Sequence, residues 1–137
     1  MLEAYSTAQT IAATTGAVPF TNVSLIKGQT AVLSGTNTIQ LNRAGIYMIH
    51  AVVSGVPAAA GTASIQIYKD GVAQPEATSS TPSGLTTVGV NLAMATLVQV
   101  REDNGCCCRM APTVLQLINT GVGLNNANAN IVITKVC

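Results

Sequence analysis

Three adjacent cysteines, Cys106, Cys107 and Cys108, stand in the run Asn104-Gly-Cys-Cys-Cys-Arg-Met110, and the fourth cysteine of the chain is Cys137. Thiolates hold metals, form bridges and attack electrophiles, so each chemistry must be weighed. Tetrahedral zinc favours thiolate pairs two to four residues apart with a second pair elsewhere. Adjacent cysteines in extended backbone point to alternate sides, so Cys106 and Cys108 can converge while Cys107 faces away. The sole histidine, His50, falls in an expected strand. One chain therefore offers a poor cage, and only an oligomer would gather enough ligands from Cys106, Cys107 and Cys108. As a disulfide, neighbouring cysteines cannot bridge without severe strain in the peptide between them, and Cys137 is the only distant partner. As a nucleophile, a thiol here has Arg101 and Arg109 close by in sequence to lower its pKa. It lacks a base and an orienting group. A loop of small thiols, tucked between strands or at a subunit contact, is the reading that needs nothing more.

The remaining candidates are weaker still. His50 follows Met48 in an apolar stretch, the setting of a packed structural histidine. The five acids are dispersed, and only Glu102 and Asp103 are neighbours, so the convergent carboxylates of glycoside chemistry are not legible. Gly121-Val-Gly-Leu-Asn-Asn126 has the glycine spacing of a dinucleotide loop, but no helix signal follows it, and it reads as a turn. Asn22-Val-Ser24 fits the glycan acceptor pattern, which stays idle without export. The Asn-rich run 125–130 is expected to be a loop whose side chains satisfy its own backbone. No catalytic residue and no cofactor site is expected.

Composition narrows the partners. Charged residues make up 8% of the 137, against about 25% in an ordinary globular chain. The hydrophobic share of 48% excludes disorder, because a disordered chain is poor in apolar residues. The surface must then be built of Thr, Ser, Asn, Gln, Gly and Ala, and is cheap to desolvate because few ions lose water on contact. Such a surface is suited to meeting protein. With six Lys or Arg against five Asp or Glu, no basic stripe exists to release counterions, and nucleic acid is not an expected partner. Four scattered aromatics, Tyr5, Phe20, Tyr47 and Tyr68, make no stacking platform. The start of the chain carries Glu3 and no basic residue before Lys27, which does not fit a secretory signal. No run of about 18 apolar residues is present to span a membrane. Synthesis and retention in a cytoplasm are expected, where thiols stay reduced.

The elements that must position all this read as strands. Val, Ile and Thr dominate, with Gly, Pro and Asn punctuation at the spacing of an all-β sandwich or barrel. In the run 87–101, Val88, Val90, Leu92, Met94, Val98 and Val100 share one parity, and Thr87, Gly89, Asn91, Ala93, Ala95 and Gln99 the other. Thr96 interrupts the apolar set and Leu97 the polar one, so a bulge is expected near Ala95 to Leu97. Further strands are expected at Gln9–Ala13, Val23–Lys27, Thr38–Asn42, Ile46–Val53, Ala63–Lys69, Val72–Glu76, Val114–Asn119 and Asn130–Val136. Asp70-Gly71 supplies a tight primed hairpin turn. Pro57–Gly61, Thr78–Gly84 and Gly121–Asn128 read as loops. The whole chain, 1–137, is expected to be one domain.

The order of these pieces resembles the jelly-roll heads of the tumour necrosis factor and complement globular-head superfamily, and within it the bacterial and phage branch of virion and spore-surface trimeric heads. Residues 38–55 are similar to that family's apolar strand, turn and Gly-x-Tyr-x-apolar core strand, with Gly45, Tyr47 and Ile49 in the diagnostic places. Residues 63–72 resemble its next strand and hairpin, 114–121 its Leu-x-Leu-x-Asn-x-Gly segment, and 129–136 its terminal strand. The family's core is usually richer in aromatics, and no collagen-like stalk precedes the domain here. The resemblance implies a sandwich of two sheets and about ten strands, trimeric about a threefold axis, with Tyr47, Ile49, Val90, Leu92, Leu115, Leu117, Ile131 and Ile133 in its core. It also implies that the loop bearing Cys106 to Cys108 lies at the end opposite the carboxyl terminus, too far from Cys137 to bridge. The functional expectation is a non-enzymatic structural protein of a bacteriophage virion, a homotrimer decorating the capsid or forming a head or tail fibre beside other virion proteins. The alternative is a trimeric receptor- or carbohydrate-binding head, acting through the three loops just named.

Overall fold

A computed structural model of the chain describes residues 1–13, 16–28, 30–83, 89–100 and 113–136. Eleven strands and no helix appear among them: β1 (Leu2–Ile11), β2 (Gly16–Ala17), β3 (Asn22–Ile26), β4 (Ala31–Ser34), β5 (Thr38–Leu41), β6 (Gly45–Pro57), β7 (Gly61–Lys69), β8 (Val72–Ser83), β9 (Val90–Val100), β10 (Thr113–Asn119) and β11 (Leu124–Lys135). They form two antiparallel sheets, one in the order β3-β1-β11-β6-β9, the other β4-β5-β10-β7-β8 with β2 added on β10. Strands distant in sequence lie side by side, β1 against β11 and β5 against β10. That is the two-sheet jelly roll.

Alternation fills the space between the layers. Tyr47, Ile49, Ala51 and Val53 of β6 face Ile65 and Ile67 of β7 and Leu115 and Leu117 of β10 across it, all buried. Leu92, Ile131 and Ile133 are buried as well, and Val90 packs half-buried at the rim. Of the aromatic residues only Tyr47 and Phe20 lie in this core, which is otherwise branched aliphatic. Ile and Val suit a pleated, one-sided surface because their stiff χ1 angles lose little on packing there.

Two local signals translate directly into geometry. Asp70 and Gly71 both take positive φ, 51° and 81°, the primed turn that matches strand twist. The Asp70 carboxylate then accepts from the Val114 N–H at 2.9 Å, tying the hairpin to β10. In the Leu-x-Leu-x-Asn-x-Gly segment, Asn119 is fully buried, and its side-chain amide donates to the Ala12 carbonyl (3.0 Å) and the Val122 carbonyl (2.8 Å) while accepting from Gly121 N–H (3.0 Å). Gly121 crosses so close to the β7 backbone that a Cβ would meet the Thr62 carbonyl oxygen and sit 2.7 Å from Ser64 N. Asn119 and Gly121 form one device that closes this end of the sandwich.

Several expectations need correction. The first strand spans Leu2–Ile11, not Gln9–Ala13: Leu2, Ala4 and Ser6 point inward, and the small Ala and Ser at inward places hide the period. A register shift between Ser6 and Gln9 then reverses the parity. No bulge occurs near Ala95 to Leu97. β9 pairs with β6 without interruption from Val90 opposite Gly55 to Val100 opposite Gly45, because the second sheet tolerates Thr96 half-buried and solvent takes Leu97. The irregularities lie elsewhere, at Ser6 to Gln9 in β1 and at Asn125 to Asn128 in β11. Most of the expected loop Thr78–Gly84 continues β8, and the expected loop Gly121–Asn128 is a strand from Leu124 onward. In both, ladder bonds override turn-forming composition. The Asn-rich run pairs as β11, with the Asn128 amide oxygen accepting from Ala8 N–H (3.1 Å) and Asn130 donating to Glu3 (3.2 Å). Strands β2 and β4 carried no clear signal.

Candidate interaction surface

The outer face of the β3-β1-β11-β6-β9 sheet is set by the same alternation that builds the core. Across it, hydrogen-bonded register brings Leu97, Met48 and Thr134 into one row, Ala95, His50, Val132, Glu3 and Leu25 into the next, and Ala93, Val52, Asn130 and Tyr5 into a third. Leu97 is 60% exposed, Met48 48% and Leu25 45%. Tyr5 adds an aromatic edge. Only Glu3 and His50 in these rows carry ionisable groups near neutrality, and Glu3 is engaged by Asn130. Isolated exposed apolar residues are ordinary, but a contiguous patch on a paired sheet marks an interaction surface.

His50 thus sits exposed on this face between Ala95 and Val132, packed against no acid or thiol in register. Among the described residues no group of three or more His, Cys, Asp or Glu comes together as a metal site. Cys106, Cys107, Cys108 and Cys137, with Arg101, Glu102, Asp103 and Arg109, lie outside the described residues. Their flanks are described, and they correct one expectation. Val100 pairs with Gly45, Thr113 pairs with Leu41, and Val136 N–H donates to the Ile46 carbonyl at 2.8 Å. The segment 101–112 therefore leaves and re-enters the sandwich at the same end as the carboxyl terminus, not the opposite one. Antiparallel pairing of β9 and β11 on either side of β6 forces this.

The one displaced ionisation belongs to Tyr47. Burial raises its pKa above the ordinary value of 10.0, and the hydrogen bond from its hydroxyl to the Arg43 carbonyl at 2.7 Å opposes part of that rise. This is a structural tyrosine that staples the turn before β6. At the other end of the sandwich, the turns at 58–60 and 120–123 meet, Ala58 N–H donating to the Gly123 carbonyl at 2.8 Å, and β8 ends beside Gly61. The three segments expected as loops therefore do converge at one end, although two of them are largely strand.

Sequence reasoning found the strands that carry the face but not the face itself. Met48 and Leu97 stand at polar-parity positions, and that mismatch was the available signal.

No family model matches the chain, and no curated protein does. Solved structures do. The PRD1 vertex protein P5 superposes with a TM-score of 0.63 at 18% identity, covering 99% of this chain and 96% of that one. Eiger TNF from S. frugiperda gives 0.69 at 11%, covering 99% and 92%. Murine APRIL at pH 5.0 gives 0.62 at 8%, covering 95% of each chain. The chain has the jelly roll of the TNF-like heads, and its solved neighbours include a phage vertex protein.

Proposed function

We propose that this chain is a non-enzymatic structural protein of a bacteriophage virion, a homotrimer that decorates the capsid or forms a head or tail fibre. The observation that carries the reading is a TNF-like sandwich, matched over nearly its whole length by a phage vertex protein, whose outer sheet face is apolar and almost without charge. Its mechanism is assembly. Apolar area removed from water contributes roughly 25 cal/mol per Å², and a face with so few ions loses little of that to desolvation. Three copies turned face-inward would bury Met48 and Leu97, while the opposite sheet stays free to meet other virion proteins. The chain needs no cofactor for this. Among the described residues no helix is long and apolar enough to cross a membrane.

Sedimentation equilibrium at micromolar concentration tests the trimer. Three times 13.9 kDa is expected, and a single chain mass overturns the reading. Replacing Met48 and Leu97 together by Glu is expected to give monomers with an unchanged unfolding midpoint, because both side chains are exposed in the single chain. Gradient-purified virions of the phage that encodes the chain should contain it in a copy number divisible by three.

A second reading, a receptor- or carbohydrate-binding head, draws on the convergence of the turns at 58–60 and 120–123 with the end of β8. Binding to a glycan array that is lost on changing Ala58 to Ala60, with assembly intact, would favour it.

A further inference from the structure

Sheet edges expose unpaired backbone groups, and natural proteins blunt them with prolines, charges, bulges or short length. Three of the four edges here are blunted. β8 carries Pro75, Glu76 and Pro82, β4 has four residues and β3 five. β9 is different: eleven residues, no proline, no charge, and no register shift. Val136 N–H bonds to Ile46, so the even residues of β6 point toward β11 and their partners in β9 point away from β6. Those are Asn91, Ala93, Ala95, Leu97 and Gln99. Only the Gln99 carbonyl has a printed partner on this side, the Lys69 ammonium at 2.7 Å. Beside this edge runs an open groove of about 360 Å³ lined by Lys69, Gln74, Glu76, Leu97, Val98 and Gln99.

At the opposite edge of the same sheet, all five residues of β3 are exposed, with Val23, Leu25 and Ile26 each more than 40% so. Their heights along the strands follow from register. Ile26 is level with Leu2, Ile133, Ile49 and Thr96, and Leu25 with Glu3, Val132, His50 and Ala95. Lys27, next in sequence, comes level with the Leu97 row. β3 and β9 also run in the same direction, since three antiparallel steps separate β3 from β6 and one separates β6 from β9. A rotation about an axis parallel to the strands preserves height and direction, and would carry β3 of one copy to the groove of the next. Charge agrees: Glu76 is the only acid of the groove, Lys27 is the only base beside β3, and among the described residues neither side chain has an ion-pair partner.

We infer that the groove beside β9 receives β3 of a neighbouring copy of this chain, with Val23, Leu25 and Ile26 against Leu97 and Val98, and Lys27 against Glu76. The contact is head-to-tail, so it uses two different surfaces of each copy and closes into a ring. It rests on the self-assembly proposed above and names the surfaces that make it.

Charge reversal tests it. Lys27→Glu and Glu76→Lys, measured separately by sedimentation equilibrium, are each expected to raise the dissociation constant at least about tenfold, because each sets like charges face to face. The double variant, Lys27→Glu with Glu76→Lys, is expected to return to the wild-type value. In a mixture of Ile26→Asp and Leu97→Asp chains, each monomeric alone, one intact contact remains and 1:1 pairs should form, which a symmetric contact would not allow. Unfolding midpoints confirm that each variant is folded. A wild-type trimer unaffected by either single reversal, or singly weakened but not rescued in the double, overturns this contact and leaves the proposed trimer standing. A monomeric wild type overturns both.

Discussion

At the residue scale, the polar groups inside the sandwich divide into satisfied and unsatisfied ones. Asn119 makes three hydrogen bonds from full burial, so Asn119→Ala would orphan two carbonyls and an N–H. A loss of roughly 2–4 kcal/mol is expected in urea unfolding. Ser6 is the reverse case. Its hydroxyl is buried with no partner, and Ser6→Ala should be neutral or raise stability by up to about 1 kcal/mol. Tyr47 gives a pH signature. Its folded pKa is raised, so above about pH 10 the unfolded chain releases the proton first and binds fewer protons than the native one. Stability from this group is complete below the ordinary value and falls as pH rises through that region toward the folded one. Tyr47→Phe should flatten the alkaline slope by one proton while weakening the protein at neutral pH by about 1 kcal/mol, through the lost bond to Arg43. Stability measured against pH in buffered urea separates the two effects.

At the element scale, β9 offers a sharp contrast between neighbouring residues. The Ala95 N–H points away from β6, whereas Met94 shares a ladder pair with Ala51. Proline lacks that N–H, and a strand accepts it only where no ladder bond is lost. Ala95→Pro should therefore lower stability by about 1 kcal/mol or less, and Met94→Pro by about 3 kcal/mol or more. Thermal unfolding followed by circular dichroism distinguishes them. The strands most legible in sequence were those with large residues at every inward place, such as Tyr47, Ile49 and Val53 in β6. β1 was misplaced because Ala4 and Ser6 fill its inward places and because Ala8, at a φ of 52°, resets the parity. The extension of β8 past Glu76 was missed for a related reason: Thr78 to Ser83 are small and polar on both faces, and only pairing with β7 makes them a strand.

At the scale of the whole molecule, the chain closes on itself late. β11 lies between β1 and β6, so neither the first strand nor the long central one is fully paired until the carboxyl-terminal strand arrives. Removing residues 129–137 should abolish cooperative unfolding altogether, because it splits the sheet in two. Refolding should fall in the millisecond-to-second range of non-local β topologies, which stopped-flow measurement checks. A low-charge surface has a consequence here too. The proposed assembly should depend only weakly on salt, with Lys27 and Glu76 supplying most of what dependence there is.

Composition and alternation by themselves determined an all-β sandwich with an uncharged exterior and no constellation for catalysis, because burial periodicity and charge are local properties of a chain. They also located the hairpin at Asp70-Gly71, where turn chemistry is written in two residues. Only the tertiary structure decided which strands became neighbours, and with that the apolar outer face, the bare edge of β9, and the placing of the segment 101–112 at the same end as the carboxyl terminus. Strand pairing brings together residues more than a hundred positions apart, such as Leu2 and Ile133, and no local period encodes such a partner.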